Sequence, residues 1–350
     1  GGGPLPLARR LAAYMRQHQL VPPVIEFNLA NPTGQIGTVA GIGSPAGAVG
    51  LEDPFTEAPL RVVKAMEQAL NRSFDYLIPG ETGPMNSLIP MLAAAQLGVP
   101  LIDADGAGRA MSTLGMSTFN QVAKVSPYIL GNESTTPEHV ITAHLAVNTP
   151  DQADSLTRSI VSSGDFGSSG AFSTWPSTVG VLSKVAVSGS VGLAVTIGEQ
   201  LQACQAKGID PIAALQTVLG RRMRCLYTGQ VKSVELQTTN GFDSVVIKLQ
   251  SPAEPDFILY ALNENMIGWY ADQSQPACIG PDSLCYVTTS GVSFTNATIA
   301  EYVGKPDQIH IVGLQAEPAL LTPGVLAAYA DVLGQLGYAG PYRPLVQEKQ

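Results

Sequence analysis

Pro79–Asn120, PGETGPMNSLIPMLAAAQLGVPLIDADGAGRAMSTLGMSTFN, decides how the chain is built. Gly80 and Gly83 flank Glu81 in a turn, and Asn86 and Ser87 open an apolar run from Leu88 to Leu97 whose spacing suits a helix packed on a sheet. Gly98 and Pro100 stop that helix, and Val99 to Ile102 then read as a short buried strand. A turn, a helix and a strand in this order describe an open α/β sheet. Asp103, Asp105 and Arg109 follow at the strand's C-terminal end, where such sheets place their ligands.

The residue types in this segment suit chemistry. Glu81 and Asn86 fall near a helix N-terminus, where free backbone N–H groups favour carboxylates and anionic ligands. Asp103 and Asp105 lie two apart, so on a strand they point the same way and either ligate a metal or push one another's pKa apart. An ordinary polar loop, with Arg109 paired to one aspartate, is the competing reading.

The segments GETGPMNS, PMLAAAQLGVPLIDADGAGRA and GMST closely resemble the S-methyl thiohydantoin desulfurase family, whose members are often found beside hydantoinase and oxoprolinase proteins. SGSVGLAVTIGEQL from Ser188, TGQVKSVELQTTNGF from Thr228 and LNEN from Leu262 are similar in the same order, so the resemblance covers most of the chain. It implies a two-domain cytoplasmic enzyme that hydrolyses a small five-membered nitrogen heterocycle by metal-assisted attack of water. The implied partners are that heterocycle and either a second copy of the chain or a hydantoinase-type protein. The chain departs from the family in one place: Met111, Ser112 and Thr113 stand where members usually carry Phe-Pro-Glu.

Composition sets outer bounds. At 350 residues, 45% hydrophobic and 13% charged, the chain is long enough for two domains with buried cores. A net charge of −9 argues against a nucleic-acid surface, and RRMR at 221–224 reads as a charged helix end before a strand. No apolar run reaches the roughly 18 residues that span a membrane. Gly1-Gly2-Gly3-Pro4 is an unusual place for a domain to begin, which suggests residues upstream. Four scattered cysteines, at 204, 225, 278 and 285, fit buried thiols in a reducing cytoplasm. His139 and His144 are five apart on an expected helix and so do not form an i, i+4 metal pair. One histidine reaching the acids through the fold, His144 or His310, is the remaining route to a metal.

Outward from the opening segment, Pro6 to His18 and Pro59 to Ala69 read as helices and Val24 to Phe27 as a strand. Gly34 to Gly50 reads as a glycine-rich loop in which GIGSPAG, 41–47, places Ser44 and its neighbouring N–H groups against a planar ligand or phosphate. Its glycine spacing is not GxGxxG, which counts against a dinucleotide fold. After Asn120 come a strand and a helix to about Ser163, with Thr149 as N-cap and Pro150 at the first helical position. Residues 162–174 read as a loop over a ligand, and Ser190 to Gln205 as a helix. From about Arg224 the pattern turns to alternating strands, VKSVEL, SVVIKL, FILYAL and IHIVGL, with Asn240-Gly241 as a hairpin signal. Glu264 and Asn265 then sit between apolar strands as substrate contacts.

The expected architecture is an α/β N-terminal domain, a mixed sheet with flanking helices over 1–223, plus a smaller β-rich C-terminal domain over 224–314. The tail, 315–350, packs back on the first domain. The expected site joins Glu81, Asp103, Asp105 and Arg109 as catalytic groups with Asn86, Ser44, Glu264 and Asn265 on the substrate. Asp103, Asp105 and His144 hold a divalent metal such as zinc. A hydrolase of a cyclic amide or thioamide ranks first, a non-catalytic partner of a hydantoinase-type enzyme second, and a dinucleotide oxidoreductase third.

Overall fold

The computed structural model describes residues 3–43, 55–167, 169–239 and 242–345. Two compact units divide the chain, Gly3–Val191 and Gly192–Gln350 with Gly1–Gly2.

In the first unit the elements run α1 (Leu5–Gln17), β1 (Val24–Ile25), β2 (Gln35–Gly43), α2 (Ala58–Leu70), β3 (Tyr76–Pro79), α3 (Pro84–Leu97), β4 (Leu101–Ile102), β5 (Ala104–Asp105), β6 (Tyr128–Asn132), β7 (Thr142–Leu145), α4 (Pro150–Val161), β8 (Ser169–Thr178), α5 (Val179–Leu182) and β9 (Val187–Ser188). The main sheet of the described residues has the order β1-β4-β3-β2-β8-β6-β7. Strands β1, β4, β3 and β2 are parallel, and β8, β6 and β7 continue antiparallel, which makes the sheet mixed as expected.

Period-two alternation sorts its residues onto two cores. Val39, Leu77, Leu101, Ile129 and Ala171 face Leu7, Leu11, Val62, Met66, Ile89 and Leu92 of α1, α2 and α3. Their neighbours Ala40, Ile78, Ile102, Leu130 and Phe172 face the other way, against Ala153, Val161, Val179 and Leu182 of α4 and α5. The unit is therefore three layers, helices on both faces of one sheet.

Three local readings are corrected. Gly34 to Gly50 is not one loop, since Gln35–Gly43 is the strand β2 in the middle of the sheet. Residues 162–174 likewise run into the strand β8. His144 lies on β7, the last strand of the sheet, rather than on a helix with His139.

The second unit opens with α6 (Ser190–Lys207), which begins at the end of the first, and α7 (Ile212–Leu219). Strands β10 (Met223–Thr239), β11 (Phe242–Gln250), β12 (Phe257–Leu262), β13 (Glu264–Tyr270), β14 (Cys278–Ile279), β15 (Ser283–Thr288) and β16 (Ile309–Leu314) follow, with α8 (Pro323–Gln335) last. They form an antiparallel sheet of order β14-β13-β12-β11-β10-β16-β15, matching the expected β-rich part. The pairing of Thr239 with Phe242 closes the β10–β11 hairpin, while Asn240 and Gly241 themselves lie outside the described residues.

The division falls after Val191, not at 223/224, because α6 and α7 pack through Leu201 and Leu215 on Met223, Val287 and Val312 of this sheet. The tail also belongs here. Buried Asp282 accepts hydrogen bonds from the Ala316 N–H at 2.7 Å, the Leu345 N–H at 2.6 Å and the Tyr342 hydroxyl at 2.9 Å. Among the described residues no helix is long and apolar enough to cross a membrane.

Candidate functional site

The parallel half of the first sheet sends the C-terminal ends of β3 and β4 to one edge, and the expected acids follow both. After β3, Gly80-Glu81-Thr82-Gly83 turns into α3, with Gly83 as N-cap and Pro84 at the first helical position. Inside α3, Pro90 has no N–H to donate to the Asn86 carbonyl, so one backbone bond of the helix is absent next to the turn. Asn86 uses both ends of its amide. Its Nδ2 donates to Glu81 Oε1, and its Oδ1 accepts from the Gly41 N–H at 2.7 Å. Glu81 Oε2 accepts from the Met111 N–H. The Glu81 carboxylate is thereby fixed between the start of α3 and the 111–114 segment, and Asn86 also ties both to the end of β2.

Thr82, the next residue, reaches the other acid. Its hydroxyl donates to Asp105 Oδ2 at 2.5 Å, while Asp105 Oδ1 accepts from the N–H of Gly108 at 2.7 Å and of Ala107 at 3.3 Å. Asp105 is fully buried, and burial raises its pKa to about 6 against the opposing effect of these three donors. The turn beneath it requires glycine. A Cβ on Gly106 would lie 2.5 Å from Ser117 Oγ and 2.8 Å from the Gly80 carbonyl, to which the Gly106 N–H donates at 3.2 Å. Gly108 adopts φ +62°.

Asp103 accepts from a different part of the chain. The chain bends at Asp103 between β4, in the main sheet, and β5, which pairs with β9, so the two aspartates do not sit on one continuous strand. Asp103 Oδ1 accepts from the Val191 N–H at 2.9 Å and its carbonyl from Gly189 at 2.8 Å. Its carboxylate caps the start of α6, where the helix dipole favours negative charge. Arg109 is buried, with Nε donating to the Ala110 carbonyl at 3.2 Å.

Several residues at the site gave no signal in the sequence. Asp154 of α4 accepts from the Leu114 N–H at 2.9 Å, so carboxylates of Glu81 and Asp154 hold the two ends of the 111–114 segment. Burial raises the Asp154 pKa to about 7. Trp175, fully buried on β8, has φ +47°, a strained conformation for a bulky residue. Its Nε1 donates to Asn120 Oδ1 at 2.8 Å, and a Cβ on Gly80 would meet its ring at an ordinary 3.7 Å.

Ser44, with the rest of 44–54, lies outside the described residues. His144 is exposed on β7, five strand positions from β4 in the sheet order, or ~24 Å at the usual strand spacing. Glu264 and Asn265 belong to the second unit. There Asn265 donates to the Leu284 carbonyl at 2.9 Å and accepts from the Tyr286 hydroxyl at 2.7 Å, so its amide joins β13 to β15. A divalent metal does not fit this arrangement: among the described residues no group of three or more His, Cys, Asp or Glu is gathered to hold one, and both Asp105 oxygens already accept protein donors.

Two family models match the chain. The one described as S-Me-THD-like, N-terminal domain, covers residues 1–141, and the one described as S-Me-THD-like, C-terminal domain, covers 148–345. A crystal structure of a protein from Chromobacterium violaceum is similar with a TM-score of 0.81 and 24% identity, over 99% of this chain and 94% of that one. At that identity the likeness establishes the shared fold. No curated protein matches the chain.

Proposed function

The chain belongs to the S-Me-THD-like family, and from that premise we propose that it is an enzyme acting on a small cyclic amide or thioamide, a hydantoin- or thiohydantoin-like ring, by hydrolysis of a ring-carbon bond to nitrogen or sulfur. The observation that carries this reading is Asp105: a fully buried carboxyl with its pKa raised to about 6, hydrogen-bonded to the Thr82 hydroxyl beside the first turn of α3. A carboxyl tuned towards neutrality changes protonation with little driving force, as a general base requires. In this reading Asp105, once ionised, draws a proton through the Thr82 hydroxyl from the water that attacks the ring carbon. Glu81, immobilised by Asn86 and the Met111 N–H, orients the ring N–H, and buried Arg109 supplies positive charge to the oxygen or sulfur that gains electron density. No step is routed through a metal.

The test is a screen of hydantoins, S-methyl thiohydantoins and related lactams against the purified full chain, reading ring opening or thiol release, with Asp105→Asn as the control. Turnover by the wild type and its loss in the variant support the reading. Equal rates in both overturn it.

One observation favours a second reading, a non-catalytic partner of a hydantoinase-type enzyme: Thr113 stands where the family usually has an acid. Stable co-purification with such an enzyme, with no turnover by the chain alone, would distinguish it.

A further inference from the structure

The second unit holds a cluster of reactive side chains that the proposed function does not use. Cys225 and Thr228 are three apart on β10, so on a regular strand they would point to opposite faces. A register shift between Cys225 and Tyr227 places Cys225 opposite Val312 and Thr228 opposite His310 of β16, so both side chains share the face that carries His310. Asp210, in the turn between α6 and α7, covers that face.

The hydrogen bonds assign each group a role. Asp210 Oδ2 lies 2.8 Å from His310 Nε2, and its Oδ1 accepts from the Ile212 N–H at 2.9 Å. An ionised carboxylate only accepts, so Nε2 carries the proton and Nδ1 is left as the acceptor. Thr228 Oγ1 therefore donates to Nδ1 at 2.8 Å, while Cys225 Sγ lies 3.8 Å from both Thr228 Oγ1 and Nδ1 and donates to the Tyr227 carbonyl at 3.7 Å. His310 is buried while Cys225 is partly exposed, so the thiol is the member that solutes reach. Burial, reinforced by the charges of Asp210 and Glu254, raises the Cys225 pKa. The thiol is therefore protonated at neutral pH and needs a base to react, and Nδ1, reached through the Thr228 hydroxyl, is that base.

We propose that Cys225, His310 and Asp210 form a base-assisted thiol nucleophile for small, uncharged electrophiles that carry a leaving group on carbon. In the step, Cys225 Sγ forms a bond to that carbon, the thiol proton passes to the Thr228 hydroxyl as that hydroxyl gives its own proton to His310 Nδ1, and the carbon–leaving-group bond breaks with its electron pair leaving on the departing group. Asp210 stabilises the imidazolium that results and fixes the ring orientation. The acidic surroundings disfavour anionic electrophiles.

The test is alkylation of the folded full chain at pH 7 by iodoacetamide, neutral, and iodoacetate, anionic, with each cysteine followed by peptide mass spectrometry. The expected result is that iodoacetamide modifies Cys225 roughly tenfold faster than the exposed Cys285. The preference for iodoacetamide over iodoacetate should also be larger at Cys225. His310→Asn should slow Cys225 about tenfold and leave Cys285 unchanged. A merely structural imidazole predicts the opposite, because its loss would open the sheet and speed labelling; that rise, or an unchanged rate, overturns the proposal. If His310→Asn unfolds, seen as labelling of buried Cys204 and Cys278, Asp210→Asn replaces it with the same expected fall. In the wild type alone, Cys225 reacting more slowly than Cys285 also overturns it.

Discussion

Asn86 and Glu81 are joined side chain to side chain across the first turn of α3, and the same Asn86 amide accepts the Gly41 N–H at 2.7 Å. One residue thus aligns the acid, the helix and the end of β2. Asn86→Ala removes both bonds and leaves the Gly41 N–H and a Glu81 oxygen without that partner. The expected cost is about 1–3 kcal/mol, read as a lower urea midpoint with an unchanged slope. Asn86→Asp, which sets a second carboxylate against Glu81, should cost more at pH 8 than at pH 5.

Asp105 and Asp154 give the chain a pH dependence of definite sign. Both have folded pKa values raised above 3.8, to about 6 and about 7, because burial disfavours the charged form. Their contribution is fully present below pH 3.8 and is lost as pH rises through about 6 and then about 7. For Asp105 the loss is on the order of 3 kcal/mol. Urea midpoints should fall with pH from about 4 to about 7 and level off above that. Asp105→Asn should lessen the fall between about pH 4 and 6, and Asp154→Asn should also remove the part that continues to about pH 7.

Gly106 should tolerate no side chain, since a Cβ there would meet the Gly80 carbonyl at 2.8 Å and Ser117 Oγ at 2.5 Å. Gly106→Ala is expected to cost about 1–3 kcal/mol and to lower turnover by displacing Asp105. Gly83 is a contrast. A Cβ there meets only Ala110 Cβ, at an ordinary 3.7 Å, and φ is −162°. Gly83→Ser, which adds an N-cap hydroxyl, should leave thermal stability unchanged or raise it by a few tenths of a kcal/mol.

Sequence patterns carried the elements whose signals are local. Thr149 caps α4 through its hydroxyl, accepting the Gln152 N–H at 3.2 Å, as its place before Pro150 implied. The turn into α3 and the alternating strands of the second unit were legible for the same reason. Strands β2 and β8 were not, because their glycines resemble loop residues. Those glycines are packing requirements: a Cβ on Gly37 would lie 2.7 Å from the Phe74 ring, one on Gly41 2.6 Å from Ile89 Cδ1, and one on Gly170 would collide with the Gly131 carbonyl. The grouping of Glu81, Asn86 and Asp105 followed from their closeness in sequence. Asp154 and Trp175 join the site only through tertiary contacts, and the bend at Asp103 depends on β5 pairing with β9, which no local pattern encodes.

The central claim is that Asp105 is the base of a ring-hydrolysing site. The most direct measurement is the pH–rate profile of the full chain on whichever hydantoin or thiohydantoin it turns over, for wild type and Asp105→Asn. A rate that rises with pH through an inflection near 6, and a folded Asp105→Asn chain that has lost it along with most of the turnover, is the predicted result. A folded Asp105→Asn chain with the wild-type rate and profile would contradict the account.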